Sequence, residues 1–434
     1  MNSPLNLPYI VIGAGPMGLC TARQLKKHGI PFIGLEQHSD VGGLWDISNP
    51  HSTVYETAHL ISSKHTTEFT EFPMRDGVAT YPHHSELRQY FHDYASHFGL
   101  YENYEFGTKV VKVEPMGKHW AVITEKEGVS SRREVAGVLI ANGTLHHPLM
   151  PALPGYTGEL MHSSGYKSPA QFQGKRVLIV GCGNSACDIA VDAVHHAKAT
   201  DISVRRGYYF VPKFILGKPA DTLGKLKLPR RLKQFLDGIM IRIFMGKPSD
   251  YGLPDPDYKL YESHPVVNSL VLYHLGHGDI HAQGDIEKAE GKTITFKNGK
   301  SADYDLVLMA TGYKLHYPFI DRTLLNWKGA APDLYLNVFH PSYDNLFVMG
   351  MVEATGLGWQ GRDEQAEMVA LYIKGLQEKK ASALELKKTK ARLQGEAMDG
   401  GYAYLKLDRM AYYVNKDVYR GRVRQHLHDL QLQG

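Results

Sequence analysis

Two glycine-rich turns carry the residues whose types and spacing could do chemistry. The first follows the apolar run Tyr9–Ile12 and reads Gly13, Ala14, Gly15, Pro16, Met17 and Gly18. The second follows residues 177–180 and reads Gly181, Cys182, Gly183, Asn184, Ser185 and Ala186. In such a turn the first glycine bends the chain, the second lets the backbone approach a diphosphate, and the small third residue allows close helix packing. Two copies about one domain length apart predict two bound dinucleotides.

The residue at the tip of the next strand indicates which ribose each turn accepts. Glu36 follows the run Phe32–Leu35, about 20 residues past the first glycines, where a carboxylate can take the ribose hydroxyls. Arg205 and Arg206 hold the equivalent place after residues 202–204. A guanidinium there grips a 2′-phosphate that a carboxylate would repel, so the second turn is predicted to prefer NADPH over NADH. The alternative is a solvated basic pair without a ligand.

A third pattern stands just before the second turn. Tyr156, Gly158, His162 and Tyr166 are spaced as Y-x-G-x-x-x-H-x-x-x-Y, and the chain carries Ala-Thr-Gly-Tyr at 310–313. Together with the two glycine turns, in this order, the chain resembles the class B flavoprotein monooxygenases, in particular the flavin-containing (dimethylaniline) monooxygenase family. The resemblance covers essentially the whole chain.

The resemblance assigns cofactors and site residues. It implies FAD at the first turn and NADP at the second. The segment Gly43, Leu44 and Trp45 would lie along the FAD, and Ser62 and Ser63 beside its ring system, where Ile61 stands in place of the Asn usual in animal members of the family. Val111 is expected at the FAD as well. Thr311 and Gly312 form a domain link near the cofactors, and His162 would couple the domains and hold the nicotinamide without acting as acid or base.

The resemblance also implies a reaction. NADPH reduces FAD, the reduced flavin captures O₂ as a hydroperoxyflavin, and a soft nitrogen or sulfur nucleophile in a small-molecule substrate takes the distal oxygen. Ketones, oxygenated by Baeyer–Villiger chemistry, are a further substrate class. Little protein acid–base chemistry is required, which agrees with the lack of a Ser/His/Asp or paired-carboxylate pattern. Ile61 leaves open how much oxygen is released as hydrogen peroxide.

Other functions fit parts of the sequence. A disulfide or thioredoxin-type reductase also has two dinucleotide turns, and Cys182 and Cys187 could form its redox pair, although they stand inside the second turn and its helix. An NADPH oxidase would need the same cofactors. A non-enzymatic sensor would leave two intact cofactor sites unused.

Composition is that of an ordinary globular protein. The 434 residues have a net charge of +4, too small to predict nucleic-acid binding. Three cysteines are too few for a disulfide framework, and the N-terminus has no basic region before its first strand. A cytoplasmic location is therefore expected. His83 and His84 lack further ligands at metal-binding spacing, so no metal is expected.

The predicted fold class is α/β, with two dinucleotide-binding, Rossmann-like domains and the NADP domain inserted into the FAD domain. The FAD domain is expected at 1–150 and 305–434, and the NADP domain at 151–304 with a basic insertion at about 207–270. Apolar residues from Leu232 to Phe244 repeat at helical spacing, interrupted by Gly238. This segment, 230–245, is expected either to touch a membrane surface or to cover the active site or a partner subunit. A homodimer is expected.

Overall fold

The computed structural model describes residues 7–223 and 228–432. The strands, in chain order, are β1 Tyr9–Ile12, β2 Phe32–Leu35, β3 Tyr104–Glu105, β4 Lys109–Met116, β5 His119–Lys126, β6 Val129–Val135, β7 Gly137–Ile140, β8 Glu159–His162, β9 Arg176–Val180, β10 Ala199–Ser203, β11 Phe214–Ile215, β12 Lys218–Pro219, β13 Ile280–Gln283, β14 Ile286–Glu290, β15 Thr293–Phe296, β16 Ser301–Asp303, β17 Leu306–Met309, β18 Trp327–Lys328, β19 Ala331–Pro332 and β20 Leu346–Val348. The helices are α1 Pro16–Lys27, α2 Lys64–Thr67, α3 His84–His97, α4 Asn184–Val194, α5 Arg230–Met245, α6 Leu270–His277, α7 Gly358–Gln377, α8 Ala381–Arg392 and α9 Lys416–Gln431.

The first sheet is parallel and has the order β20-β7-β1-β2-β3. Its central strands are buried on both faces, which is why they read as continuous apolar runs. Helices α1 and α7 pack together on one face. The antiparallel sheet β4-β5-β6 contributes Val113, Trp120 and Val122 to the core of the other face. This arrangement presents the carboxyl ends of β1 and β2, with the first glycine turn, at one edge.

The second sheet is also parallel and has the order β13-β10-β9-β17-β8. Helices α4 and α6 cover one face, and the antiparallel sheet β14-β15-β16 covers the other. Strand β17 pairs with β8 and β9, so it belongs to this sheet and not to the returning FAD domain. The second sheet therefore ends at Met309, later than the expected boundary at residue 304.

The chain passes between the two sheets twice, and the two passes run side by side. The Leu149 N–H donates to the Gly312 carbonyl at 2.9 Å, and the Lys314 N–H donates to the His147 carbonyl at 3.0 Å. Pro148 and Tyr313 form an antiparallel bridge between them. The two links are thus a short two-stranded ribbon, which restricts how the sheets can move relative to each other.

Helix α5 extends from Arg230 to Met245 and is continuous through Gly238, so the interruption expected there is wrong. Nothing lies within 4 Å of a Cβ built at Gly238, so no close contact requires a glycine at this position. Met245 is its buried residue, and Phe235 and Ile243 are 65% and 69% exposed. Among the described residues, no helix is both long and apolar enough to cross a membrane.

One buried carboxyl group links α1 and α7. Gln24 donates its side-chain N–H to Asp363 Oδ1 at 2.8 Å, and burial raises the pKa of Asp363 to about 7. In an unfolded chain an Asp titrates near pH 4. The folded protein therefore binds this proton more tightly, and its contribution to stability is complete below about pH 4 and is lost as the pH rises to 7.

We expect Asp363→Asn to stabilise the protein in a pH-dependent way. The amide keeps the acceptor for Gln24 but does not ionise, so its advantage over Asp should grow by about 2 kcal/mol between pH 5 and pH 7. That change corresponds to about 2 °C in the thermal midpoint for a chain of this length, measured on the FAD-bound protein at both pH values. Asp76→Asn, on an exposed loop, is the matched control. An equal effect of Asp363→Asn at both pH values would contradict the prediction.

Candidate cofactor-binding and active site

A cavity of about 2220 Å³ extends from the first glycine turn to the insertion. Several residues expected at FAD lie in its wall, namely Gly13, Gly15, Pro16, Met17, Glu36, Gly43, Leu44, Trp45 and Ser62. The cavity thus joins the first dinucleotide turn to the space where a substrate could meet it.

The glycines of the first turn are required by close backbone contacts. Gly13 has φ +108°, and a Cβ there would lie 2.7 Å from the Ala141 carbonyl oxygen. A Cβ at Gly18 would lie 1.9 Å from the Gly13 carbonyl oxygen. Gly15 is the N-cap of α1, and no side chain of the described residues caps that terminus. The turn therefore offers backbone N–H groups and a helix N-terminus, which fit a diphosphate.

Glu36 is held rigidly at the tip of β2. Its Oε2 accepts the Ala14 N–H at 2.7 Å, and its Oε1 accepts the His38 N–H at 2.8 Å. Burial raises the pKa of Glu36, and these two N–H groups partly oppose that rise. The carboxylate thus lies in the cavity wall next to the glycine turn, where it can accept hydroxyl donors of a ribose.

The N-terminus of α7 forms another part of the cavity wall. Gly358 has φ +65°, and a Cβ there would lie 2.3 Å from the Thr66 carbonyl oxygen, so α7 begins tightly against α2. Arg362 donates to the carbonyls of Gly358 and Val352 at 3.0 Å each. Among the described residues no side chain caps this helix start. Its dipole therefore favours negative charge in the cavity, as on a reduced flavin ring.

The two serines expected beside the flavin ring differ in position. Ser62 lies in the cavity wall with Ile61, and its hydroxyl is 2.7 Å from that of Thr67. Ser63 is fully buried, and its N–H donates to Asp221 Oδ2 at 2.7 Å. Ser63 thus connects α2 to the insertion, and its side chain lies outside the cavity wall.

A bulge in β4 determines which valine faces the cavity. The register with β5 shifts between Val110 and Lys112, so Val111 has no direct partner. Val110 is buried and lies in the cavity wall, whereas Val111 lies outside it. Contact of FAD with Val111 would therefore have to use its backbone or its neighbours.

The second turn repeats the first at the start of α4. Gly181 has φ +121°, and a Cβ there would lie 2.5 Å from the Ala310 carbonyl oxygen. A Cβ at Gly183, the N-cap, would meet nothing within 4 Å. Ala186 is buried, and Ser185 is exposed. Open backbone at an uncapped helix start again fits a diphosphate. The Asn184 side chain already makes a hydrogen bond within the protein, because its Oδ1 accepts the Val267 N–H at 2.7 Å.

The two arginines after β10 are not equivalent. Arg205 is exposed. Arg206 lies over the ring of Tyr258 at 5.1 Å and is 3.7 Å from Asp257. Arg205 is therefore the better placed of the two to receive a 2′-phosphate.

His162 links the second sheet to the domain ribbon. Its Nδ1 accepts the Ser164 N–H at 3.1 Å, so the proton lies on Nε2, which donates to the Gly312 carbonyl at 3.1 Å. Burial lowers the pKa of His162. The neutral ring thus makes two structural hydrogen bonds. Thr311, next to Gly312, donates its hydroxyl to the Leu149 carbonyl in the same ribbon.

The other members of this pattern are also structural. Tyr156 donates its hydroxyl to the Tyr304 carbonyl at 3.1 Å, and a Cβ at Gly158 would lie 2.3 Å from that hydroxyl oxygen. Tyr166 is fully buried and stacks on Phe172 at 4.9 Å. The pattern therefore fixes the edge of the second sheet.

Cys182 and Cys187 do not form a redox pair beside a flavin. Their sulfur atoms are 3.9 Å apart, and both side chains are buried in the core of the second domain. Burial and the neighbouring thiol raise the pKa of Cys187. Neither residue lies in the cavity wall, so the reductase interpretation lacks its catalytic group.

Several cavity residues were missed by the sequence interpretation. Tyr81 comes from the first part of the FAD domain, and the others come from the insertion and from the segment after β20. Their only sequence signal is a high local density of tyrosine: Tyr81, Asp221, Tyr261, His264, Thr355, Tyr402, Tyr404 and Tyr413. Burial lowers the pKa of His264 to about 4, so this ring is neutral.

Two parallel sheets, each followed by a glycine turn that fits a diphosphate, define a dinucleotide-dependent oxidoreductase. The first turn lies in the cavity wall, whereas Gly181, Gly183 and Arg205 of the second site lie outside it. The chain belongs to the flavin-binding monooxygenase-like family, whose model matches residues 8–417. It is an FAD-containing, NADPH-dependent monooxygenase, as the resemblance predicted.

Individual relatives agree with this family. Flavin-containing monooxygenase 5 of Oryctolagus cuniculus is 29% identical over 391 residues, which are 84% of this chain and 73% of that protein. The S-allyl-L-cysteine S-oxygenase of Allium sativum has a similar fold, with a TM-score of 0.67, 18% identity and coverage of 97% of this chain and 88% of that one. The polycyclic ketone monooxygenase of Thermothelomyces thermophila gives a TM-score of 0.71 at 15% identity, over 99% and 89% of the two chains.

Replacement of Gly18 by Ala should remove FAD. The added Cβ would overlap the Gly13 carbonyl, which cannot move without opening the turn, at a cost of about 3 kcal/mol or more. The FAD dissociation constant should therefore rise by about 100-fold or more, measured by flavin fluorescence on dilution. Gly421→Ala in α9, where the new Cβ meets nothing within 4 Å, should keep its FAD. Normal flavin content in Gly18→Ala would refute the turn as the FAD site.

Arg205→Ala should weaken NADPH far more than NADH. Loss of a charge-assisted contact to the 2′-phosphate costs about 1.5–3 kcal/mol, or roughly 10- to 100-fold in the NADPH dissociation constant. Lys198→Ala removes the same charge at the opposite end of β10 and is the control. Equal losses of NADPH and NADH affinity in Arg205→Ala would disprove the assignment.

Proposed function

We propose that this monooxygenase oxygenates soft nitrogen and sulfur nucleophiles in small molecules, with ketones as a less favoured class. The observation that carries the proposal is the continuous cavity between the first glycine turn and the insertion. A substrate in this space would need no relay, because the cavity is continuous from the first glycine turn to the insertion. Baeyer–Villiger oxygenation is less favoured because residues 45–55 lack the Pro-Gly…Asp pattern typical of that group.

The protein's own residues would bind and orient the cofactors and limit the access of water to the reacting atoms. The chemistry that FAD supplies when bound is acceptance of a hydride from NADPH and activation of O₂. The first turn and Glu36 would hold its diphosphate and ribose, and the second turn with Arg205 would hold NADPH. Leu60 and Ile61 give the cavity an apolar wall, which would limit water near the reacting atoms.

The insertion would close the cavity over the substrate. Tyr81 donates its hydroxyl to the Lys213 carbonyl, and its ring meets Phe214 edge-on at 5.2 Å. Asp221 accepts from both the Ser63 N–H and the Thr66 hydroxyl. These contacts join the hairpin β11–β12 and its following turn to the FAD domain, which supports a role for the insertion as a lid.

Three further proposals concern location and assembly. The exposed apolar side chains of α5 and its basic residues Arg230, Arg231 and Arg242 support contact with an anionic membrane surface through 230–245. The three free, buried cysteines support a reducing compartment such as the cytoplasm. A homodimer is proposed as well, and light scattering of the FAD-bound protein would test it.

The function is tested by following both products of NADPH oxidation. With methyl phenyl sulfide, the FAD-bound protein should form sulfoxide, and sulfoxide and hydrogen peroxide together should account for the NADPH oxidised. Ile61→Asn places an amide at the cavity wall, which can hydrogen-bond to the cofactors. It should lower the share of NADPH that ends as hydrogen peroxide about twofold or more, a change that needs only ~0.4 kcal/mol.

Ile61→Leu is the control for the amide, since it keeps the size and polarity of the side chain. Hydrogen peroxide in a 1:1 ratio to NADPH, with no oxygenated sulfide or amine, would instead indicate an NADPH oxidase.

A further inference from the structure

Four tyrosines form a continuous aromatic surface in the cavity, here called the tyrosine wall: Tyr261, Tyr402, Tyr404 and Tyr413. Neighbouring ring centroids are 6.0, 6.3 and 5.0 Å apart along this series. All four residues are half-buried and lie in the cavity wall. Ring surface is therefore exposed to the cavity along the length of the wall.

The tyrosine wall is built from two chain segments that lie outside both sheets. Tyr261 belongs to the insertion, and the other three belong to the segment before α9. The Leu405 N–H donates to the Glu262 carbonyl at 2.9 Å, which joins the two segments directly. The wall thus exists only because these segments meet.

Hydrogen bonds fix the end of the wall that is nearest the N-terminus of α7. The Tyr413 hydroxyl is 2.7 Å from the Thr355 hydroxyl and 3.4 Å from His264 Nδ1. Thr355 stands three residues before Gly358, where α7 begins. The wall therefore runs from the uncapped N-terminus of α7 toward α5.

Charged side chains of α5 beside the wall have partners in the protein. Lys233 and Asp237 of α5 pair at 2.7 Å, and Asp237 also accepts the Tyr261 hydroxyl. The Arg230 guanidinium lies over the Tyr402 ring at 5.7 Å. The lining of the same cavity includes apolar side chains as well, among them Leu223, Leu228, Met240, Ile241 and Leu260. The tyrosine rings themselves offer flat surface on which an uncharged aromatic group can pack.

We propose that the tyrosine wall is a subsite for an uncharged aromatic group of the substrate, and that it directs the nucleophilic atom toward the N-terminus of α7. The inference rests on the proposed function, since the substrate is the oxygen acceptor. It makes Tyr404, in the middle of the wall, a specificity-determining residue.

The test compares two sulfides that differ only in the group bound to sulfur. The wild-type protein should oxygenate methyl phenyl sulfide with a kcat/KM about tenfold or more above that for dimethyl sulfide. Tyr404→Leu should lower this ratio about fivefold, mainly through the KM of the aryl sulfide. Tyr273→Leu, which alters an exposed tyrosine on α6 outside the cavity, should leave the ratio unchanged.

A second variant keeps the proposal testable if Tyr404→Leu fails to fold. Met240→Trp enlarges another side chain that lines the same cavity and should also lower the ratio. A wild-type ratio near one, or a ratio that neither variant changes, would overturn the proposal.

Binding without turnover separates this proposal from the proposed function. The probe is 2-naphthol, which is uncharged at neutral pH and has no nitrogen or sulfur. It should bind to the FAD-bound protein in calorimetry, about fivefold more weakly in Tyr404→Leu. If 2-naphthol binds this way and no sulfide is oxygenated, the subsite stands and the proposed function fails. If both sulfides are oxygenated alike and 2-naphthol does not bind, the subsite fails and the function stands.

Discussion

The carbonyl oxygen of Gly312 accepts two hydrogen bonds that the two-domain arrangement depends on. One comes from the Leu149 N–H of the outgoing link, and the other from the His162 ring on the edge of the second sheet. Both lone pairs of a single oxygen thus join the two links and the second sheet. Burial lowers the pKa of His162, so the ring stays neutral and the geometry should not vary with pH near neutrality. The ribbon thus fixes the two sheets relative to each other together with the packing of Val54, Tyr55 and Ala58 of the first domain in the core of the second.

A second set of contacts joins the two domains just after the Y-x-G-x-x-x-H-x-x-x-Y pattern that contains His162. The Lys167 ammonium donates to the carbonyls of Ser52 and Val54 at 2.6 and 3.1 Å, and burial lowers its pKa. The Ser52 hydroxyl in turn donates to the Leu44 carbonyl in the segment expected along FAD. The short spacing from His162 to Lys167 therefore gives one contact to the ribbon and one to the FAD domain.

The sequence was sufficient for the parts of the fold that follow local rules. The glycine turns require positive φ and close backbone approach, so Gly13, Gly18 and Gly181 could be recognised from spacing alone, and the α/β class followed from the buried runs between them. The sequence of a single strand could not show which sheet that strand joins, because β17 would be equally apolar in either sheet. The sequence also could not predict side-chain positions that depend on a bulge or a cap. Examples are Val110, which faces the cavity in place of Val111, and Ser63, which is buried beside Asp221. The tyrosine wall joins residues more than 140 positions apart, and no periodicity in one segment can signal contact with another.

The adjacency of the two links has a consequence for biosynthesis. The second domain begins and ends at one point, so it can fold as a closed unit while still attached to the ribosome. The first sheet cannot be completed so early, because β20 pairs with β7 and emerges about 200 residues after it. At typical translation speeds this leaves the β7 edge without its neighbour for roughly 10–40 s. During that interval the nascent FAD domain is an open sheet with an apolar edge that could pair with another chain. The second domain is complete only in the last part of the interval, after β17 has emerged.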